Sequence, residues 1–214
     1  SGPAYARNYG VSKAIGTYIL PLDSDDYISE NYCERCLFWI KKNKNLRVVF
    51  GAVQNHGTYN AFQFTTSKFI YRDHLISNKI HVSGLFRRND FLRINGYDLE
   101  MTYGFEDWEF YIRLLNENSE VLQLKDAVLY YRRKEVSRNE EIIRNKDHEI
   151  RTELLIYKKN ITKYLEFGFG PISSLRMIQD YERPESFYSY MSICKILKLK
   201  CMNTIRKFFL KKNE

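Results

Sequence analysis

The chain predicts an α/β domain, and three observations carry that reading. Strand-like and helix-like segments alternate over roughly the first two thirds of the sequence. An apolar strand runs directly into a cluster of acids, Asp23-Ser24-Asp25-Asp26. The segments end at recognisable breakers, namely Gly16, Asn95-Gly96 and Gly168-Phe169-Gly170-Pro171.

Residues 3–15 read as a helix, with Ala4, Ala6, Ala14 and Ile15 as formers and Gly16 as its stop. Residues 17–22, rich in Tyr, Ile and Leu, form a strand that ends at the acids. Ser29, with Glu30 beside it, opens a second helix running to about Lys42. Residues 46–53 are apolar enough for a buried strand. Residues 54–80 show no clean period and read as a loop with short elements; irregular segments of that length more often cover a functional site than merely link. A short strand at 82–87 leads into a helix at 88–94, stopped by Asn95-Gly96. Residues 106–115 read as a helix and 121–131 contain a strand. A long amphipathic helix is expected over 142–167, with Ile143, Ile150, Leu154, Ile161 and Leu165 on its apolar face. The tail from Ser186 is again helical and basic.

With 214 residues there is room for one sizeable core, and 44% apolar residues with 17 Tyr and 14 Phe exclude a disordered chain. No apolar run reaches the ~18 residues of a membrane span. The first residues have neither a basic head nor an apolar tract, so no secretory leader is expected. Cys33 and Cys36 have no second pair at metal-binding spacing and read as ordinary helix positions in a reducing compartment. The formal charge of +8 is concentrated in the tail: from Lys195 onward there are seven basic residues and one acidic residue. The body is close to neutral, which argues against a nucleic-acid-binding domain and for a basic C-terminal arm.

Two acidic turns carry the chemistry. Asp23 and Asp25, at the carboxyl end of a strand, can converge on one hard cation, Mg2+ or Mn2+, which can also hold the phosphates of a nucleotide sugar. The competing reading is a solvated turn in which Asp26 caps the next helix. Glu106-Asp107 follows Gly104-Phe105, where the glycine permits a tight turn. A carboxylate presented there could take the proton of an attacking hydroxyl, while Tyr97, Tyr103, Trp108 and Phe110 could offer flat surfaces to sugar rings. The alternative is a helix start enriched in acid by its own dipole, with the aromatics in the core. Arg87-Arg88 and Arg132-Arg133-Lys134 could each meet phosphate or be structural, and Arg113 reads as a structural ion-pair partner. None of the four histidines has tight metal-ligand spacing.

Three stretches then resemble the inverting GT-A glycosyltransferases of family 2. They are Ala6-Arg7-Asn8 with Gly10, continuing through Gly16 to Asp26; Ser83-Gly84-Leu85-Phe86-Arg87-Arg88 followed by Asn95-Gly96-Tyr97-Asp98 and Glu100; and Gly104-Phe105-Glu106-Asp107-Trp108-Glu109-Phe110 with Arg113. The resemblance spans about residues 3–135. It implies a GT-A-like three-layer sandwich with a mixed, mostly parallel sheet over residues 1–135, and a helical C-terminal extension with a basic tail over 136–214. It also implies a chain lacking the first strands of the parent fold. In the roles the family implies, Arg7, Asp23 and Asp25 bind the donor, and Asp25 with Asp23 holds the metal. Asp107 is the general base, and Glu106 and Trp108 line the acceptor side. The implied partners are a nucleoside-diphosphate sugar, most readily a UDP-sugar, and a glycan or lipid-linked acceptor. The alternative is an inactive fragment with weak ligand binding. Where many members carry a His after the strand, this chain has Arg133-Lys134. Met191, Cys194, Leu197, Cys201, Ile205 and Phe208 mark one face of a basic helix, which suits either anionic lipid or plain core packing with a solvated tail. The expected setting is therefore the cytoplasm, with the inner face of the membrane and a homo-oligomer as allowed states.

Overall fold

The computed structural model describes residues 2–58, 60–65, 67–133 and 146–171. Two compact units are present, Ser1–Ile161 and Thr162–Glu214. The first reaches past the boundary placed at residue 135 from sequence. The basic tail from Ser186 lies outside the described residues.

In chain order the elements are α1 (Pro3–Lys13), β1 (Tyr18–Ile19), β2 (Tyr27–Ile28), α2 (Tyr32–Lys42), β3 (Leu46–Gly57), β4 (Ala61–Gln63), α3 (Tyr71–Ile76), β5 (Leu85–Arg87), α4 (Arg88–Arg93), α5 (Glu106–Leu114), β6 (Glu120–Arg133), α6 (Lys146–Lys159) and α7 (Ile161–Glu166). One sheet runs β1-β5-β3-β6-β2, with β4 paired to β3. The sheet is mixed, but its parallel character is confined to β3 and β6; the other four pairings are antiparallel. The expected parallel majority does not occur among these strands, because the short strands β1, β2, β4 and β5 each add an antiparallel pairing.

Strand alternation places the two halves of the core. Leu85 faces one side with Val49, Val53, Leu124 and Leu129, where Tyr32, Cys36 and Ile40 of α2 cover them. Phe86, the next residue, faces the other side and meets Phe91 of α4 and Phe110 of α5. Tyr97 stacks on Phe110 at 4.3 Å. Helices therefore lie on both faces, giving three layers. Cys33 and Cys36 are free thiols on α2, and burial pushes the Cys36 thiol up to about 12.

A bulge joins the sheet to α2. Gly51 pairs with Leu124 and Ala52 with Val128, so residues 125–127 loop out of β6. The loop receives the start of α2: Asn31 donates to the Asp126 carbonyl, and Val128 donates to Ser29 Oγ. Gly51 donates its N–H to the Tyr32 hydroxyl, which in turn donates to the Ser83 carbonyl.

The expected apolar face of the long helix is not the buried one. Ile150, Leu154 and Ile161 are exposed, whereas Thr152 and Ile156 are buried; Ile143 lies outside the described residues. Polar ties set the rotation of α6 instead. Lys159 pairs with Asp98 and Glu100, His148 stacks on Tyr103, and Asn160, where the helix breaks, donates to Glu109.

Candidate active site

A cleft of about 700 Å³ opens at the carboxyl ends of β3 and β6. Asn55 from β3 and Tyr131 and Arg133 from β6 form part of its wall. Asp23, from the turn after β1, and Glu106 and Asp107, from the first turn of α5, line the same space with Arg7. Open α/β sheets bind ligands at this edge because the loops there can vary while the strands hold them.

Arg7 joins the two acidic turns. Its guanidinium donates to Asp23 Oδ1 at 2.9 Å and to Glu106 Oε1 at 2.6 Å, and lies 5.5 Å from the Tyr97 ring centre. Burial works against its charge, but the carboxylates of Asp23 and Glu106 hold its pKa above the ordinary value. The neighbouring Asn8 fastens the same segment, accepting from the Tyr97 N–H and donating to the Tyr97 carbonyl, both at 2.8 Å.

The local backbone explains how α5 presents its acids. Gly104 has φ 127° and Phe105 has φ 58°, so the chain turns sharply into the helix. Glu106, Asp107 and Glu109 then fall in the first turn, where unpaired N–H groups favour negative charge. Asp107 Oδ1 accepts the Trp108 N–H and its Oδ2 accepts from Asn78 Nδ2. Burial and the neighbouring Glu106 charge push the Asp107 carboxyl up to about 6, with Arg7 and these two donors opposing.

In the first acidic turn, Asp26 is the buried member. Its Oδ1 accepts the Arg132 N–H, while its Oδ2 is buried without a partner. Burial, then the charges of Asp23 and Asp25, raise its carboxyl to about 6 against that hydrogen bond. Asp25 is half-buried and lies off the cleft wall. Among the described residues no three His, Cys, Asp or Glu side chains form a ligand set by themselves. The orphaned Asp26 oxygen beside two further carboxylates nonetheless fits a hard cation that draws its remaining ligands from substrate oxygens.

Glycosyltransferase like family 2 is the family whose sequence profile matches residues 1–145. The chain belongs to that family. It is 30% identical over 138 residues to an uncharacterized glycosyltransferase of Haemophilus influenzae, a match covering 60% of this chain and 49% of that protein. A second Haemophilus influenzae protein of the same description is 27% identical over 125 residues, covering 55% of this chain and 42% of its own length. The minor teichoic acid biosynthesis protein GgaB of Bacillus subtilis is 28% identical over 144 residues, covering 63% of this chain and 16% of GgaB. The chain thus spans half or less of the length of the curated relatives it matches. Among solved structures, S. aureus TarS 1-349 in complex with UDP-GlcNAc superposes with a TM-score of 0.52 at 18% identity, covering 78% of this chain and 54% of TarS 1-349. At that identity the likeness is one of fold.

Within this family member, Trp108 departs from the role the resemblance implies, while the arginines divide between structure and cleft. Trp108 is buried, and its indole N–H is committed to the His74 carbonyl at 2.6 Å, so it packs behind the cleft rather than facing an acceptor. Arg87 donates to the carbonyls of Leu46 and Ile40 and is structural. Arg113 grips Glu109 with two nitrogens and also the carbonyls of Ile94 and Gly96. Arg133 does reach the cleft, where it donates to Asn55 and lies 5.1 Å from the Tyr131 ring centre.

Cleft residues that sequence reasoning missed include Asn55, Asn78, Lys79 and His81. His81 Nδ1 is buried without a partner, and burial pushes its imidazole down to about 4, so it is neutral. Three of these fall in the unpatterned stretch 54–80, whose length was the available signal.

Proposed function

We propose that this chain transfers a glycosyl group from a nucleoside-diphosphate sugar to a hydroxyl of a glycan or lipid-linked acceptor, with inversion at the anomeric carbon. The observation that carries the proposal is the Arg7 clasp, which brings Asp23 and Glu106-Asp107 to one sugar-sized cleft. Family membership supports glycosyl transfer, the TarS complex supports a UDP-sugar as donor, and the likeness to GgaB, a minor teichoic acid biosynthesis protein, supports a glycan polymer as acceptor.

In this mechanism Asp107 takes the acceptor's hydroxyl proton as that oxygen attacks the anomeric carbon. The new C–O bond forms as the bond to the diphosphate oxygen breaks, and the nucleoside diphosphate departs with the electron pair. No protein nucleophile is needed. Asp107 suits the task because its carboxyl, held near 6, is ionised at neutral pH yet basic enough to share a proton. Asp23 and Asp25, with the unpartnered oxygen of Asp26 beside them, would hold Mg2+ or Mn2+, which supplies positive charge against the diphosphate when bound. Arg7 keeps Asp23 aligned, and Lys79 and Arg133 add positive charge to the cleft wall. The acceptor chemistry would suit work on the cytoplasmic face of a membrane. Among the described residues no helix is long and apolar enough to cross one.

The test uses UDP-GlcNAc as probe donor, with UDP binding followed by calorimetry with and without Mn2+ and transfer followed as UDP release. Asp107→Asn should bind UDP as the parent does while losing about 10²- to 10⁴-fold in transfer. Asp25→Ala should lose the Mn2+-dependent part of binding. An unaltered rate in Asp107→Asn refutes the base assignment. Absence of UDP binding at millimolar concentration favours the inactive-fragment reading.

A further inference from the structure

We propose that Asn78 is a positioning residue that orients the Asp107 carboxylate and tunes its basicity, an inference that rests on reading Asp107 as the base. Asn78 follows α3, 29 positions before Asp107 in sequence, yet its Nδ2 donates to Asp107 Oδ2 at 2.9 Å and it lines the same cleft. The direction of that bond is fixed. The amide oxygen of Asn78 already accepts the Ile80 N–H at 3.2 Å, so the nitrogen is the end that turns to the carboxylate.

The turn that carries Asn78 is tied to the helix that carries Asp107. His74 accepts the Lys79 N–H through Nδ1 at 3.1 Å, and its carbonyl accepts the Trp108 indole N–H. His74 is fully buried between the rings of Phe69 and Tyr111, and burial keeps it neutral, so Nδ1 remains an acceptor. The residue before Asn78 and the residue after it are thus both anchored: Ser77 donates to the Asp73 carbonyl, and Lys79 donates to His74. With Oδ1 on the Trp108 N–H and Oδ2 on Asn78, both oxygens of Asp107 are pinned, which fixes the plane of the carboxylate. A base held in one plane loses less freedom when the acceptor hydroxyl arrives.

The charged and titratable groups that bear on Asp107 are Glu106 from its own helix, Arg7 from α1, Tyr97, Tyr111, and Lys79 and His81 on the cleft wall. Asn78 donates to the ionised form, so its removal raises the carboxyl pKa.

The experiment is a carboxyl-carbon NMR titration of the full chain labelled with 13C-aspartate, with the Asp107 signal identified by its loss in Asp107→Asn. Asn78→Ala removes both roles of the side chain. Asn78→Ser keeps an oxygen for the Ile80 turn but is one atom shorter and cannot reach Asp107. The Asp107 midpoint should rise by about one unit in both variants, while melting temperatures confirm the fold. A parental midpoint in both variants, or a rise in Asn78→Ala alone, overturns the proposal, because the latter marks a turn-forming role only. The titration needs no turnover, so its outcome is independent of whether Asp107→Asn loses transfer, which judges the base assignment separately.

Discussion

Replacing Arg7 by Met isolates the electrostatic part of the clasp, since the thioether chain roughly preserves length and packing. Arg7 and Glu106 have side chains only 12% and 10% exposed, so this ion pair is essentially buried. Removing one partner of such a pair leaves an uncompensated buried charge and costs about 3–5 kcal/mol. The pairing with Asp23 counts for less, because that carboxylate is 39% exposed and screened; about 0.5 kcal/mol is appropriate. The Tyr97 ring adds about 0.5 kcal/mol. The expected loss is therefore about 5 kcal/mol, which for a domain of this size lowers the melting temperature by roughly 10–20 °C. Thermal unfolding followed by circular dichroism at neutral pH measures it. Adding Glu106→Gln to the variant removes the stranded charge and should return about half of the loss. A fall of less than about 3 °C in Arg7→Met, or no recovery in the double variant, would refute the claim that Arg7 holds the two acidic turns together.

Three further outcomes follow. Asp107 accepts a proton only when ionised, and its carboxyl is raised to about 6, so log kcat/KM should fall with unit slope as pH drops below about 6 in a UDP-release assay. Because the folded pKa lies above the ordinary carboxylate value, the same group makes the fold less stable as pH rises from about 4 to about 6, the opposite of a salt-bridged acid. A Cβ at Gly51 would sit 2.3 Å from the Ala127 carbonyl oxygen and 2.5 Å from the Tyr32 ring. Gly51→Ala should therefore cost about 3 kcal/mol in urea unfolding by prising α2 from the bulge it docks on.

Elements with strong local signals were legible in the sequence. α2, α4, α5 and the start of β3 fall close to their expected places because apolar spacing and breakers mark them. β2 escaped notice: two residues, Tyr27 and Ile28, are too few to show a period, and they become a strand only through pairing with β6. β3 continues through the polar Gln54, Asn55 and His56 because β4 and β6 satisfy its backbone on both sides. Strand direction is a tertiary property, which is why the antiparallel majority could not be read locally.

In the site, the two acidic turns were legible because a strand or a glycine turn delivers each of them. The dual role of Arg7 was not, since its guanidinium reaches an acid 99 positions away. Asn78 gave no signal of its own, because its meaning comes from Asp107 and from the buried His74 that steadies its turn. Trp108 illustrates the converse: an aromatic beside the proposed base looks like a sugar platform until its indole N–H is found inside the protein.

Phe105 occupies a left-handed backbone state that disfavours any residue with a Cβ. Glycine would take the same bend freely, so the side chain here carries a backbone cost that a glycine would not. It is balanced while the ring rests edge-on against Trp108, 5.8 Å away. Phe105 also borders the cleft, so the residue that bends the chain into the helix of Asp107 is itself part of the cavity wall. Gauge and aim thus meet at one residue, and a smaller side chain there would widen this wall while giving up the ring contact that offsets the bend.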